Sequence, residues 1–297
     1  MRALITGING FVGQHLENFI HDKGVEVFGI ENKKTNYIEC DITDKSRLKE
    51  VIAEVKPDWI FHLAAISAVG ICEKDPELAR KVNVEGFRNL LSSIDELGLK
   101  CRILFTSTSN VYGRIGKEVL SEDDKTEPVS VYAKTKLAAE KIISDFPKVD
   151  VVISRSFNHI GPGQLKGFIT SDFASQIADI EKSDDKKGSI SVGNLLSIRD
   201  YTDVRDIVEA YYQLIKKGEC SKIYNICSGK GFSGKDILDI LLGFSNSEIE
   251  VVSRSFRQND IDKLIGNNDK FFSLTGWKPK ISIEKSLKDI LDYWRQK

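Results

Sequence analysis

Tyr132 and Lys136 stand four residues apart in Tyr132-Ala-Lys-Thr-Lys136, with Leu137, Ala138, Ile142 and Ile143 following at helical spacing. On a helix the pair shares one face, its side chains about one turn apart. A phenol at its ordinary pKa of about 10 is a poor acid-base group at neutral pH, and an ammonium beside it favours the phenolate. Lowering it to about 7 takes roughly 4 kcal/mol, within reach of two positive charges in a water-poor cleft. Thr108 lies 24 residues earlier, in Thr106-Ser-Thr-Ser-Asn-Val-Tyr-Gly113, where hydroxyls crowd the end of the strand-like run Arg102 to Thr106. In open α/β sheets ligands bind at that carboxyl edge, so Tyr132 is the expected proton-exchange group of a site there.

The start of the chain has the pattern of a dinucleotide site. Arg2 to Ile5 reads as a buried strand, Gly7-Ile-Asn-Gly-Phe-Val-Gly13 follows, and Gln14 to about Lys23 reads as a helix with Leu16, Phe19 and Ile20 on one face. Gly7 permits the turn, Gly10 lets a pyrophosphate approach the backbone, and Gly13 allows helix and strand to pack closely. Free N–H groups at the helix start face the phosphates. An oxidised nicotinamide would then bring the second positive charge to Tyr132. Val25 to Ile30 reads as the next strand and ends on Glu31, 18 residues after Gly13. A carboxylate there accepts from both ribose hydroxyls and repels a 2′-phosphate, so NAD is expected over NADP. NADP is the alternative should Lys33 and Lys34 turn inward.

Length and charge bound the remaining possibilities. A chain of 297 residues suggests two domains, or one large α/β domain with an appendage. With 43 basic and 44 acidic side chains the formal charge is -1, so no global field favours nucleic acid or an anionic membrane. Cys40, Cys72, Cys101, Cys220 and Cys227 are odd in number and include no CxxC, which fits buried thiols in a reducing cytoplasm better than disulfides or zinc. No metal site is expected. The first strand begins too early for a signal peptide, and no apolar run approaches the roughly 20 residues of a membrane span.

The elements between these motifs alternate. Tyr37 to Cys40 reads as a short strand with Asp41 and Ile42 at its end, where an adenine would lie; Asp44 caps a helix carrying Leu48, Val51, Ile52 and Val55. Trp59 to Ala65 is apolar enough for a central parallel strand, and His62 within it reads as a satisfied core histidine. A helix from Val82 to Leu97, a strand from Asp150 to Phe157, a helix capped by Asp203 and a strand from Lys222 to Cys227 follow. The expected class is α/β: a Rossmann-like doubly wound parallel sheet with a smaller, interrupted C-terminal substrate domain. Residues 1–160 and about 195–227 are expected in the dinucleotide-binding domain, and 161–194 and 228–297 in the substrate-binding domain.

Thr6 to Gly13, His62-Leu-Ala-Ala65, Asn83, Thr108 to Gly113, Tyr132 to Lys136, Arg155-Ser-Phe-Asn158 and Arg199 to Asp206 together resemble the extended short-chain dehydrogenase/reductases acting on nucleotide-diphosphate sugars. The likeness runs along essentially the whole chain, and Ser156 to Gln164, Gly167 to Phe173 and Arg199 to Ile207 are most similar to the GDP-4-keto-6-deoxy-D-mannose reductase (GDP-rhamnose synthase) branch. The resemblance implies that Thr108 hydrogen-bonds the sugar's C4 oxygen, Tyr132 exchanges its proton, and Lys136 holds the nicotinamide ribose while tuning Tyr132. It implies that Gly7, Asn9, Gly10, Phe11, Val12, Gly13, Leu63, Ala64 and Ala65 line the cofactor, with Asn83 supporting the site from the adjoining helix. Ser67, Asn158, Arg199, Arg257 and Asp260 are implied to hold the sugar nucleotide, Arg199 and Arg257 through its diphosphate. Arg257 precedes Gln258 where relatives usually read Arg-Pro. A homodimer through the helices bearing residues 82 to 98 and 132 to 146 is also implied.

A 4,6-dehydratase needs an acid and a base after the threonine, and this chain has Ser109-Asn110, whose amide cannot take a proton. The reductase branch can carry Glu at that position, so Asn110 departs from it too. Two oxidoreductive readings therefore stand: reduction of the C4 ketone of a GDP-4-keto-6-deoxyhexose, favoured by the whole-chain likeness, and an NAD-dependent 4-epimerase that uses the same triad. A dinucleotide sensor without chemistry ranks lower, because the triad is intact.

Overall fold

The computed structural model of the chain describes residues 1–254 and 261–297. Its main feature is a seven-stranded sheet of β1 (Arg2–Thr6), β2 (Glu26–Glu31), β3 (Ile38–Glu39), β4 (Trp59–His62), β5 (Arg102–Thr108), β6 (Asp150–Ser156) and β10 (Ile223–Ile226). Every pairing is parallel and the order is β10-β6-β5-β4-β1-β2-β3, so the winding reverses between β1 and β4. The strands are apolar on both sides, as a sheet covered on two faces must be. Leu4, Ile60, Ile103 and Val151 face one layer, containing α2 (Lys45–Val55), α5 (Gly86–Leu97) and α6 (Val131–Ile142). Ala3, Ile5, Phe61, Leu104 and Val152 face the other, containing α1 (Phe11–His21) and α8 (Val204–Lys217). The alternation follows from the two-residue period of a strand.

A second core lies in the C-terminal half. There α7 (Ile169–Glu181), α9 (Gly234–Leu242) and α11 (Ile283–Arg295) bury Phe173, Ile177, Ile237, Leu241, Leu287 and Ile290 together with Ile190 of β8 (Lys187–Val192). Two small sheets frame it. In one, β9 (Ile198–Asp203) pairs with β7 (Asn158–Ile160), β11 (Gly231–Ser233) and β13 (Lys263–Leu264); in the other, β8 pairs with β12 (Glu248–Ser253). Two short helices, α3 (Val69–Lys74) and α4 (Pro76–Arg80), follow the end of β4, and α10 (Asp269–Thr275) precedes α11. None of the helices among the described residues is long and apolar enough to cross a membrane.

Several boundaries differ from those read in the sequence. The first helix begins at Phe11, not Gln14, with Gly13 inside it: a Cβ on Gly13 would lie 2.4 Å from the Ile8 carbonyl oxygen. The absent side chain lets the first turn fold back onto the loop. The fourth strand stops at His62 rather than Ala65, and β5 runs on to Thr108. The helix expected from Val82 starts as a π-helical turn over Lys81–Glu85. In the second half, β9 pairs with the small strands, whereas α8 packs on the large sheet and β10 joins its edge, where Phe271 of α10 packs on Tyr224 of β10 and Trp277.

Gly113, just beyond the hydroxyl-rich strand end, has φ +67° and a Cβ there would lie 1.7 Å from the Glu127 carbonyl oxygen. Gly113→Ala should therefore force both backbones apart and destabilise the protein by about 2–4 kcal/mol. A chemical-denaturation midpoint equal to that of the wild type would show that the loop gives way freely.

Candidate active site

Thr108 ends β5 at the carboxyl edge, and its Oγ1 accepts from the backbone N–H of Asn110 at 3.2 Å and from Asn110 Nδ2 at 3.3 Å. Tyr132 is the second residue of α6, whose start is fixed twice: Ser130 Oγ accepts from Ala133 N–H at 3.2 Å, and Glu73 of α3 accepts from Val131 N–H at 2.9 Å. This placement brings the Tyr132 phenol to the Thr108 hydroxyl, which favours its ionised form. Burial is the larger effect and pushes the phenol well above its ordinary range. In the ligand-free protein the Lys136 ammonium sits 4.5 Å over the Phe105 ring and is not among the groups acting on Tyr132; the lowering expected with an oxidised nicotinamide present concerns the cofactor-bound state. Tyr132 consequently holds its proton in the protein alone.

Lys136 is only 3% exposed. Burial brings its pKa down to about 8, against the pull of Glu140 one turn further along α6. His62 beneath it is pushed to about 3, by burial and then by Lys136, so it stays neutral. Its ring stacks 4.9 Å from Phe87, and Nδ1 hydrogen-bonds Thr6 Oγ1 at 3.0 Å. The same hydroxyl accepts from Ala64 N–H at 3.0 Å, while Leu63 N–H donates to the Thr6 carbonyl at 3.2 Å. Leu63, Ala64 and Ala65 are thus held, half-buried, along the end of β1.

The glycine loop suits a dinucleotide. Gly7 has φ +71°, and a Cβ on it would come within 3.0 Å of the Ala64 backbone. At Gly10 the added Cβ would meet only the Gly7 carbonyl oxygen, at 3.1 Å, and otherwise point into open space. Gly10 caps α1 without a side-chain bond, which leaves the first-turn N–H groups, at Phe11, Val12 and Gly13, for an anion. Glu31 ends β2 and its Oε1 accepts from Asn9 N–H at 2.6 Å, so the carboxylate is fixed beside the loop. Phe11 stacks on His159 at 6.3 Å, joining the loop to β7.

Other expected residues are placed less directly. The Asn83 amide is committed to structure: Oδ1 accepts from Ile66 N–H at 2.8 Å, and Nδ2 donates to the Ile66 carbonyl at 3.1 Å and to Thr135 Oγ1 at 3.0 Å. It is a tie between the loop after β4 and α6. Asp41 is exposed, but Ile42 is 5% exposed and packs into the core, so its side chain offers no face to an adenine. Asn158 and Arg199 line one cleft of about 390 Å³ with Asp172, Phe173 and Tyr201. Ser67 is exposed in the loop after β4. Arg257 and Asp260 lie outside the described residues.

Sequence reasoning assigned no role to Glu140, a buried carboxylate bound by Ser107 and Arg155. Two signals mark it: it falls four residues after Lys136, and Arg155 places a charge directly after the apolar run Val151-Val-Ile153 and Ser154.

The family model for GDP-mannose 4,6-dehydratase matches residues 4–290. The chain belongs to that family. Within the family it is 31% identical to the GDP-6-deoxy-D-mannose reductase of Pseudomonas aeruginosa, over all of this chain and 98% of the relative. It is 32% identical to the GDP-6-deoxy-D-talose 4-dehydrogenase of Aggregatibacter actinomycetemcomitans, over 93% of this chain and 92% of the relative. Among solved structures, the RMD protein of Pseudomonas aeruginosa in complex with NADPH superposes with a TM-score of 0.89 at 30% identity, covering 99% of each chain. The UDP-glucose 4-epimerase of Thermus thermophilus with NAD gives a TM-score of 0.89 at 25% identity, again over 99% of each. Family membership and the parallel sheet bear out the reading of the chain as an extended short-chain dehydrogenase/reductase, a class of enzyme whose ligands are a nicotinamide dinucleotide and a nucleotide sugar.

The buried ammonium carries a stability cost with a definite sign. Because the folded pKa of Lys136 is lowered from 10.5 to about 8, the unfolded chain binds more protons between those values, and stability rises with pH across that window. Below pH 8 the full penalty is present. Lys136→Met should accordingly stabilise the ligand-free protein by about 1–3 kcal/mol at pH 7, and by less at pH 10. An unchanged or lower melting temperature at pH 7 would contradict this.

Proposed function

We propose that this protein reduces the C4 ketone of a GDP-4-keto-6-deoxyhexose, with NADH preferred as reductant. The observation that carries the reading is the corner formed by Thr108, Asn110 and the protonated Tyr132. Thr108 and Tyr132 converge on one point of the sheet edge. Asn110, whose amide donates to Thr108 Oγ1 at 3.3 Å, stands where an elimination would need a carboxyl group. Two relatives named for oxidoreduction at GDP-6-deoxyhexoses align over nearly the whole chain, at 31% and 32% identity.

When bound, a nicotinamide dinucleotide supplies the hydride for such a reduction. The chain's own residues do the rest. The N–H groups of the α1 start would take the pyrophosphate, with Gly7, Gly10 and Gly13 clearing its path. Thr108 orients the substrate oxygen by a hydrogen bond. Tyr132, kept neutral by burial, gives that oxygen a proton, and Lys136 would hold the nicotinamide ribose. Arg199 and Asn158 would hold the nucleotide in the cleft they share.

Incubation of the purified protein with NADH and a GDP-4-keto-6-deoxyhexose should consume cofactor and substrate one for one. Tyr132→Phe should bind NADH nearly as before and turn over about 100-fold more slowly or worse. Isomerised sugar nucleotide with no net change of cofactor would instead identify a 4-epimerase, and dehydration of GDP-mannose would sink the reductase reading.

Glu31 supports the choice of cofactor. Pinned at 2.6 Å to Asn9 N–H, it places a fixed negative charge at the end of β2, where a 2′-phosphate would be repelled. The RMD protein is solved with NADPH, so this chain is expected to differ from it. Calorimetric titration should find NADH binding at least about 10-fold tighter than NADPH; the opposite ranking would remove Glu31 from that role.

A further inference from the structure

The pair Glu140 and Arg155 is unlike the other ion pairs of the described residues: both side chains are 5% exposed, whereas at least one partner elsewhere is 17% exposed or more. The contact is bidentate, with Arg155 Nε donating at 3.1 Å and Nη2 at 2.7 Å, and Ser107 Oγ donates to the same carboxylate. The guanidinium lies 4.9 Å over the Tyr112 ring, and its Nη1 has no hydrogen-bond partner among the described residues. A buried pair of this kind stabilises a fold little more than well-packed apolar residues would, because desolvation offsets the attraction. What it supplies is direction.

Glu140 continues the row begun by Tyr132 and Lys136 at four-residue intervals on α6. Each member meets β5 in turn: Tyr132 at Thr108, Lys136 at Phe105, Glu140 at Ser107. We propose that Glu140 is a positioning residue for the reaction, clamping α6 to β5 and β6 so that Tyr132 meets Thr108 and Lys136 keeps its place over Phe105. This rests on the functional reading above. Ser107 is the neighbour of Thr108 in the strand and Arg155 anchors the far side, so a slip of α6 would break three charge-assisted bonds at once. Among the described residues, the groups shown to act on or touch Lys136 are neutral His62 from β4, the Phe105 ring from β5 and Glu140 from α6 itself. Glu140 is the one carboxylate among them, and its field holds Lys136 protonated against burial.

The test separates positioning from mere support. With lysine labelled at Cε and Lys136→Met identifying the signal, the Lys136 midpoint near pH 8 can be read by NMR without substrate. Glu140→Gln should lower that midpoint by about one unit or more and slow ketone reduction about 10-fold to 100-fold at neutral pH, with the alkaline limb of the rate profile moving the same way. Since Glu140→Gln strands a buried guanidinium, Glu140→Gln with Arg155→Met provides a variant without it, and the same displacement is expected. A folded variant of either kind in which Lys136 titrates and turns over as in the wild type overturns the proposal. If the wild type fails to reduce the ketone, the assigned reaction is wrong, and the NMR midpoint alone decides the role of Glu140.

Discussion

The hydroxyl of Thr6 holds the seam on which the site is built. Parallel strands all end at one edge, and where the winding reverses, between β1 and β4, the loops leave in opposite directions and open a crevice. Thr6 bridges that crevice at its base, bonded to His62 Nδ1 and to Ala64 N–H, each at 3.0 Å. The glycine loop departs on one side and the loop carrying Leu63 to Ser67 on the other. Gly7 lies so close to Ala64 that a Cβ would stand 3.0 Å from its backbone. Asn83 then carries the second loop across to α6 through Ile66 and Thr135. The glycine loop and α6 are therefore parts of one hydrogen-bonded frame.

Within that frame the charges are arranged against stability and in favour of chemistry. A lysine almost out of water, over a ring and above a neutral histidine, is an unfavourable state that a protein built only to fold would lack. Burial pushes the Tyr132 proton on and pulls the Lys136 proton off. A neutral phenol at the Thr108 hydroxyl is a proton donor poised at the sheet edge. Glu140 and Arg155 form the rigid floor of this arrangement.

The C-terminal half contributes a wall. The turn from β6 into β7 sets Asn158 beside β9, and Arg199 on that strand faces the same cleft as Phe173 of α7. His15 Nε2 hydrogen-bonds the Pro162 carbonyl at 2.9 Å, and Phe11 stacks on His159, so the helix behind the glycine loop is in contact with the segment leading to the cleft. The glycine-loop surface and the cleft wall are thus in direct contact.

Much of this was legible in the residues, because parallel strands and amphipathic helices obey short periods and glycine turns have steric signatures. The α/β class and the strand, glycine loop and helix at the start could be read in that way, as could the shared helix face of Tyr132 and Lys136 and a histidine satisfied within the core. Other features depended on contacts between residues far apart in the chain. Gly13 belongs inside α1 because of where the Ile8 carbonyl lies, and β9 leaves the large sheet because β7, β11 and β13 offer it partners. The burial of the Tyr132 phenol, the tie made by the Asn83 amide and the buried clamp on Glu140 are likewise invisible to spacing. The sequence by itself determined which chemical groups the protein owns and which local elements carry them. Only the tertiary structure decided which groups lose their water and which partners they meet, since desolvation and hydrogen-bond geometry are properties of packed surroundings rather than of order along a chain.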